Sequence, residues 1–176
     1  VAFTPNDLES YRFRHALYQL NPNLKEAHRI TPWLVTWDDH EVDNNWVAAM
    51  DQDGVPGEVF LLRRQAAMQA WYENMPVRRA QFPRADSLQM HRRVDFGDLL
   101  RVHVLDTRQY RSRQPCDPGL LERGRPCRMP ESNGAQEVLG QAQEHWLSED
   151  LRHPARWDLL AQQVMLMPFQ YPDNRS

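Results

Sequence analysis

Acidic and polar side chains crowd the stretch Thr36-Trp37-Asp38-Asp39-His40-Glu41-Val42-Asp43-Asn44-Asn45-Trp46. Seven of these eleven residues can ligate a metal ion or carry a proton. The apolar run at 33–35 predicts a short strand over residues 32–37 that leads into this acidic loop. Carboxylates packed so closely repel one another unless a cation lies among them, and hard oxygen ligands favour Ca²⁺, Mg²⁺, Mn²⁺ or ferric iron. The stretch therefore predicts a metal-dependent hydrolase centred on the loop.

The same stretch also fits a simpler interpretation, a solvated loop whose Asp and Asn side chains cap turns. Two features favour a site instead. Acidic residues enclose His40 on both sides, and Trp37 and Trp46 bracket the loop. Plain surface turns rarely carry such large aromatic side chains at both ends.

The overall composition fits one globular domain. The chain has 176 residues, and 41% of them are hydrophobic, which is enough for a core. A net charge of −3 argues against a general nucleic-acid surface, and no apolar run approaches the ~20 residues that a membrane span needs. Because the chain begins with Val1 and shows no signal peptide, we expect an internal piece of a longer protein.

Apolar periodicity and capping signals predict four helices. The first begins at Thr4 and Pro5, with Thr4 as its cap, and the second covers 22–28. The third covers 58–75 with a wide buried face, and the fourth covers 136–152. The predicted apolar contacts are Phe13, Ala16, Leu17 and Leu20 on the first helix, Val59, Phe60, Leu62, Ala66, Ala67 and Trp71 on the third, and Leu139, Trp146, Leu147 and Leu151 on the fourth.

Alternating apolar residues predict a hairpin over 90–107 whose second strand is buried on both faces. Residues 157–167 predict a further buried strand. The polar run 106–111 follows the hairpin, at a position where α/β folds place their sites, and a loop-bracing network of Asp106 with Arg108 explains it equally well. Together these elements indicate an α/β fold without the regular alternation of a Rossmann fold.

Two turn-rich stretches connect these elements. Residues 51–57 are acidic and resemble a Ca²⁺ loop, but they lack the twelve-residue ligand pattern, so we interpret them as a connector. Residues 112–135 contain four prolines and three glycines, which predicts a loop insertion. Cys116 and Cys127 lie in that loop, where they are expected to pair if the compartment is oxidising.

Motifs in four stretches resemble those of PhoD-type alkaline phosphatases, a group within the metallophosphoesterase superfamily. They lie in the order 11–18, 36–46, 105–116 and 141–167, and Trp-Asp-Asp-His-Glu is the most specific of them. The resemblance implies a partial metallophosphoesterase-like core of two β-sheets flanked by helices. It makes residues 1–176 the central part of a single phosphatase domain. The N- and C-terminal metal-site segments (Asp-x-Cys, Gly-Asp-Tyr and Gly-Asp-x-His) are then missing from the chain.

The resemblance further implies a secreted enzyme that hydrolyses phosphomonoesters and phosphodiesters with ferric iron and calcium. Its partners would be small phosphate esters, with no specific nucleic-acid recognition and no membrane span, and we expect a monomer. Because most iron ligands are missing, we expect this chain alone to be inactive.

Site residues follow from the resemblance position by position. Asp39 is implied as a metal ligand, with Asp38 and Asn44 as further metal candidates. His40 is implied beside the phosphoryl or leaving-group oxygen, and Arg108 as a phosphate contact. In the implied mechanism, hydroxide bound to the metal attacks phosphorus and the histidine protonates the departing oxygen.

The acidic residues beside His40 have an expected role in this mechanism, and two other functions are also considered. Asp38 or Glu41 is expected to hold the imidazole ring and raise its basicity. One alternative is a non-catalytic calcium-binding module on the same fold. Another is a metal-free hydrolase in which Asp38 and Glu41 act as an acid/base pair.

Overall fold

The computed structural model describes residues 3–113, 136–164 and 166. Its elements are α1 (Leu8–Gln19), α2 (Pro22–Ile30), α3 (Gly57–Asn74), a 3₁₀ turn (Arg79–Gln81), β1 (Arg92–Phe96), β2 (Leu100–Val104), α4 (Gln141–Leu151) and β3 (Trp157–Ala161). The mixed α/β class predicted from the sequence is confirmed. None of the helices described is both long and apolar enough to cross a membrane. The predicted Cys116–Cys127 disulfide and nearly all of the predicted loop 112–135 lie outside the described residues.

Helix α1 begins later than the sequence predicts, and a different face of it packs against α3. Asp7, not Thr4, is its N-cap, because the Asp7 carboxylate accepts from Ser10 N in a reciprocal capping box. The predicted stripe of Phe13, Leu17 and Leu20 is wrong, since these side chains are 52%, 40% and 77% exposed. The face toward α3 instead carries the buried Tyr11 and the polar side chains of Arg12 and Gln19, which bond Glu73 and Asn74 at the end of α3.

Helix α3 buries one of its two predicted stripes. Phe60, Ala67 and Trp71 are buried as predicted, whereas Val59 and Leu62 are 56% and 68% exposed, so the buried face is narrower than predicted. The helix ends at Asn74 because Pro76 disfavours helical geometry at the residue before it.

An aromatic core attaches the acidic loop to α3. Trp37 and Trp46 are completely buried and meet edge to face, with ring centroids 5.8 Å apart. Trp37 also packs against Trp71 at 5.7 Å, and Trp46 against Phe60 at 6.3 Å. Aromatic pairs of this kind contribute about 0.5–1.5 kcal/mol each beyond their burial. The two tryptophans that bracket the loop therefore fix both of its ends.

The strands form one three-stranded sheet in the order β1-β2-β3. β1 and β2 are the predicted hairpin, paired antiparallel from Arg92↔Val104 to Phe96↔Leu100. β3 runs parallel to β2, which requires the long connection that contains α4. The predicted burial of β2 on both faces is confirmed for its second half, since the consecutive residues 102–104 are all buried, whereas residues 100 and 101 are half-buried.

Three predicted boundaries are wrong for identifiable reasons. Residues 32–37 form no strand, because side chains rather than a backbone ladder hold them; Arg92 donates to Val35 O and Thr36 Oγ1 to Leu105 O. Helix α4 begins at Gln141 rather than at 136, because Gly140 has φ +75°, outside the helical region. β3 ends at Ala161 and is largely exposed rather than buried, since it is the edge of the described sheet.

Candidate functional site

Two loops that are far apart in sequence meet beside the aromatic core. The acidic loop follows Trp37, and the second loop follows β2. Arg108, on the second loop, reaches across 70 positions of sequence and donates from Nε to Asp38 Oδ1 at 2.7 Å. Its NH2 lies 3.6 Å from Asp39 Oδ1. One buried guanidinium, 6% exposed, therefore contacts both neighbouring carboxylates.

Asp39 is a buried carboxylate with opposing influences on its charge. Its Oδ2 accepts a hydrogen bond from Asn45 N at 2.9 Å, where Asn45 has the left-handed φ of +53°. Burial raises the pKa of Asp39, but the Asn45 hydrogen bond and the positive charge of Arg108 outweigh it, so the pKa lies below its ordinary value. Asp39 is therefore held ionised at neutral pH, which is the form that binds a cation.

His40 stands beside Asp39 but faces solvent. Its side chain is 78% exposed, and its Nε2 lies 3.9 Å from Asp39 Oδ2. The ring borders a groove of about 710 Å³ whose walls include Tyr18, Trp33 and Arg14. An accessible imidazole at the edge of an open groove thus has a buried carboxylate behind it.

Glu41 does not hold the His40 ring as predicted. Its Oε2 accepts from Asp38 N at 2.7 Å and closes the turn, which is the capping role expected of a carboxylate in a tight loop. Asp38 is in turn engaged by Arg108. Because both carboxylates have structural partners, this geometry disfavours the metal-free acid/base pair of Asp38 and Glu41.

Asn44 belongs to a neighbouring part of the loop. Its Nδ2 donates to Gln52 Oε1 at 2.6 Å, which ties residue 44 to the stretch 51–53. Asp38, Asp39, His40 and Arg108 therefore come together, whereas the side chain of Asn44 bonds Gln52 and borders the same groove as His40.

Asp106 anchors the second loop. It is fully buried, and its Oδ1 accepts from Arg108 N at 2.9 Å, from Gln109 N at 3.1 Å and from Trp37 Nε1 at 3.4 Å. The predicted bracing network thus exists, but it acts through the Arg108 backbone and leaves the guanidinium free to reach Asp38. The Trp37 contact links the two loops directly.

Gln143 is a residue that the sequence prediction missed. It is 1% exposed on α4, where Oε1 accepts from Asp106 N and Nε2 donates to Asp106 O, both at 2.8 Å. A signal was present, because Gln143 interrupts the apolar spacing of Leu139 and Leu147. A polar residue within an apolar stripe satisfies buried polar groups on its neighbour.

The oxygen atoms near Asp39 that could ligate a metal suit a hard cation, but they are few. Asp38, Asp39 and Asn44 offer carboxylate and amide oxygens, as Ca²⁺ prefers, yet Ca²⁺ takes six to eight oxygen ligands. In the described part of the chain, acidic ligand atoms converge elsewhere, at Asp43, Asp51 and Asp53, within 4.8 Å of one another. The residues around Asp39 therefore fit part of a metal site.

Comparisons with known proteins identify the family and the fold of the chain. The profile of the PhoD-like phosphatase family matches residues 2–176. Alkaline phosphatase D of Bacillus subtilis (strain 168) is 41% identical over 170 residues, which cover 96% of this chain and 28% of that protein. A solved structure of PhoD superposes with a TM-score of 0.83 at 41% identity, over 93% of this chain and 31% of that one. The chain thus spans less than a third of the relatives it matches, and its fold is consistent with a partial core of theirs.

Proposed function

Because the chain belongs to the PhoD-like phosphatase family, we propose that its acidic loop takes part in the metal-dependent hydrolysis of phosphate esters. The proposal concerns the full-length protein. The observation that carries it is the buried, ionised Asp39 beside the exposed imidazole of His40, 3.9 Å away at the edge of a groove. A carboxylate in that position suits a cation, and an imidazole suits proton transfer to a bound ester.

Asp39 is the proposed metal ligand on this segment, with Asp38 and Asn44 as further candidates. A bound hard cation supplies Lewis-acid stabilisation of the phosphate oxygens and an acidified water. Asp39 suits this role because the hydrogen bond from Asn45 N fixes its orientation while its charge is retained.

His40 is the proposed general acid. A histidine side chain can give a proton to a departing alkoxide or phenoxide. Its exposure to the groove leaves room for the organic part of an ester, and Tyr18 and Trp33 offer apolar surface there.

Arg108 is proposed as a phosphate contact that also positions the carboxylates. Its Nε and NH2 face Asp38. Its NH1 is buried and has no hydrogen-bond partner among the described residues. A phosphate oxygen that reached NH1 would satisfy this donor, while the contact with Asp38 kept the guanidinium in place.

The test of the metal role is Asp39→Asn in the full-length protein, assayed with an aryl phosphate and added Ca²⁺. Asn keeps an oxygen that can accept from Asn45 N, so the loop should fold. Loss of one charged ligand should lower kcat by about 100-fold or more. Asp98→Asn, at an exposed turn, is the matched control and should leave kcat unchanged. Full activity in the Asp39 variant would refute the assignment.

The test of the acid role is His40→Gln with two substrates. Without a proton donor, an ester with a poor leaving group such as phenyl phosphate should slow by about 10²–10⁴-fold. A nitrophenyl ester, whose phenoxide leaves unaided, should slow much less. Equal losses for both substrates would show that His40 binds the ester rather than protonating its leaving group.

The non-catalytic calcium module makes the opposite prediction, calcium binding without turnover in the full-length protein. The proposal includes calcium and ferric iron as cofactors, and secretion of the protein, because the resemblance to the family implies them. Metal analysis of the purified full-length protein and fractionation of the cells that make it measure these three properties directly.

A further inference from the structure

We propose that the stretch 43–54 binds a Ca²⁺ ion through Asp43, Asp51 and Asp53, at a site separate from Asp39 and His40. One carboxylate oxygen from each of the three residues lies within 4.8 Å of the other two. Oxygens that share one Ca²⁺ at about 2.4 Å each are separated by at most about 4.8 Å. The spacing of the three carboxylates is therefore that of ligands around a single ion.

Two buried carboxylate oxygens in this group lack a partner, which points to a ligand independently of the clustering. Asp51 is 4% exposed and the Asp43 side chain 9% exposed. Oδ2 of each is buried and accepts no hydrogen bond from the described residues. A carboxylate oxygen buried without a partner is unfavourable, and a cation bound between the two residues would offset that cost.

The other oxygen of each of these two residues accepts hydrogen bonds from the protein, so the carboxylates are held in place. Asp51 Oδ1 accepts from Gly54 N at 2.8 Å and from Val55 N at 2.9 Å. Asp43 Oδ1 accepts from Arg63 NH2 at 2.9 Å. Each carboxylate is thus fixed through one oxygen and offers the other, a preorganisation that lowers the entropic cost of binding an ion.

The charge of the group matches a divalent cation. Three carboxylates and the guanidinium of Arg63 leave two net negative charges. No nitrogen or sulfur ligand is among the three, and oxygen-only donors select a hard ion. Ca²⁺ is favoured over Mg²⁺ because a loop with irregular ligand spacing suits its flexible coordination. Asp53 is exposed, so the site is open to solvent on that side.

A tight reversal of the chain explains how residues eight to ten apart in sequence converge. Val47 and Met50 form an isolated two-residue bridge, and Ala48 adopts φ +48°. Arg108 O accepts from Ala48 N at 2.9 Å, and Arg64 donates to Ala48 O. The ligands therefore come from both arms of a braced reversal rather than from one continuous twelve-residue loop, which is why 51–57 alone was interpreted as a connector.

The test is calorimetric titration of the full chain with CaCl₂ alone, in metal-free buffer, with melting temperature as a second readout. Wild type should bind Ca²⁺. In Asp53→Asn, one site should either be lost or bind Ca²⁺ with a Kd raised at least tenfold. Because Asp53 is exposed, this variant should fold normally. Asp51→Asn should remove the same site, since Asn keeps the oxygen that caps residues 54 and 55 but loses the charge. Asp98→Asn is the control and should bind as wild type does.

Asp39→Asn separates this site from the proposed catalytic one. We expect it to retain the site that Asp53→Asn removes, whether or not the full-length enzyme is active. Three results would overturn the proposal: no binding at millimolar Ca²⁺, unchanged binding in both Asp51→Asn and Asp53→Asn, or a single site that is lost only in Asp39→Asn.

Discussion

The buried carboxylate of Asp106 connects the two loops of the candidate site. It fixes the backbone at Arg108 and Gln109, reaches the indole of Trp37, and accepts from the Gln109 side chain. A side chain that only accepts is required there, because every neighbouring group is a donor. The direction in which Arg108 points therefore depends on the buried carboxylate that fixes its backbone.

Asp106→Asn tests this dependence. Its new NH₂ group would face a donor on whichever side it lies, and at least one buried N–H would lose its acceptor. We expect the free energy of unfolding to fall by about 2–3 kcal/mol. Urea denaturation measures the change, with the exposed Asp98→Asn as control. A loss as small as that of the control would mean that the network adds no stability.

At the scale of elements, single residues determine where helices begin and end, and some of these residues can be identified from the sequence. The capping pair of Asp7 and Ser10 and the stop at Pro76 are local signals, although Thr4 was the wrong choice of cap. The strand predicted for residues 32–37 is wrong because apolar composition does not show which groups accept the hydrogen bonds of the backbone. Its partners, Arg92 and Leu105, are nearly 60 or more positions away.

Gly140 sets the start of α4, and its replacement should be costly for two separable reasons. Its φ of +75° strains any L-residue, and a Cβ there would lie 2.7 Å from Tyr110 Cβ. Gly97, with φ +58° and nothing within 4 Å of such a Cβ, is the matched control for the strain alone. We expect Gly97→Ala to cost about 1–2 kcal/mol, and Gly140→Ala to cost clearly more. Thermal unfolding measures both, and equal losses would show that Tyr110 moves aside freely.

The ion pair between α1 and α3 should make stability depend on pH. Arg12 donates twice to Glu73, and these hydrogen bonds lower the pKa of Glu73 from its ordinary 4.5. A lowered folded-state pKa stabilises the protein above the unfolded value, and that stability is lost as pH falls through the folded value. Glu73→Gln should therefore cost up to about 1 kcal/mol at pH 7, since both side chains are partly exposed, and nothing in strong acid.

Glu26→Gln is the comparison for that experiment, because Glu26 pairs with Arg29 within α2 and is more exposed. Its effect should be the smaller of the two at pH 7. Denaturant titrations at several pH values give both differences, and a Glu73→Gln effect that does not change with pH would contradict an electrostatic origin.

At the scale of the whole molecule, the sequence predicted a candidate site but not the contacts between its two loops. Local composition was enough to single out the acidic loop, and helical spacing was enough to place Phe60, Ala67 and Trp71 in the core. The pairing of Arg108 with Asp38 joins positions 70 apart, and such a contact leaves no periodic trace in one sequence. The acidic loop meets the residues after β2 through side-chain contacts such as Trp37 with Asp106, which a single sequence does not reveal.

The exposed outer strand β3 has a consequence for how the chain behaves in solution. Trp157, Leu159 and Leu160 are 67%, 53% and 37% exposed, and β2 is the only described strand that pairs with β3. An apolar edge of this kind recruits strands from other molecules. Sedimentation should show the chain, expected to be a monomer, associating as concentration rises, and Leu159→Lys should shift it back toward single molecules. A chain that stays monomeric at every concentration would mean that β3 does not pair with other molecules in solution. The protein could then be kept concentrated without detergent.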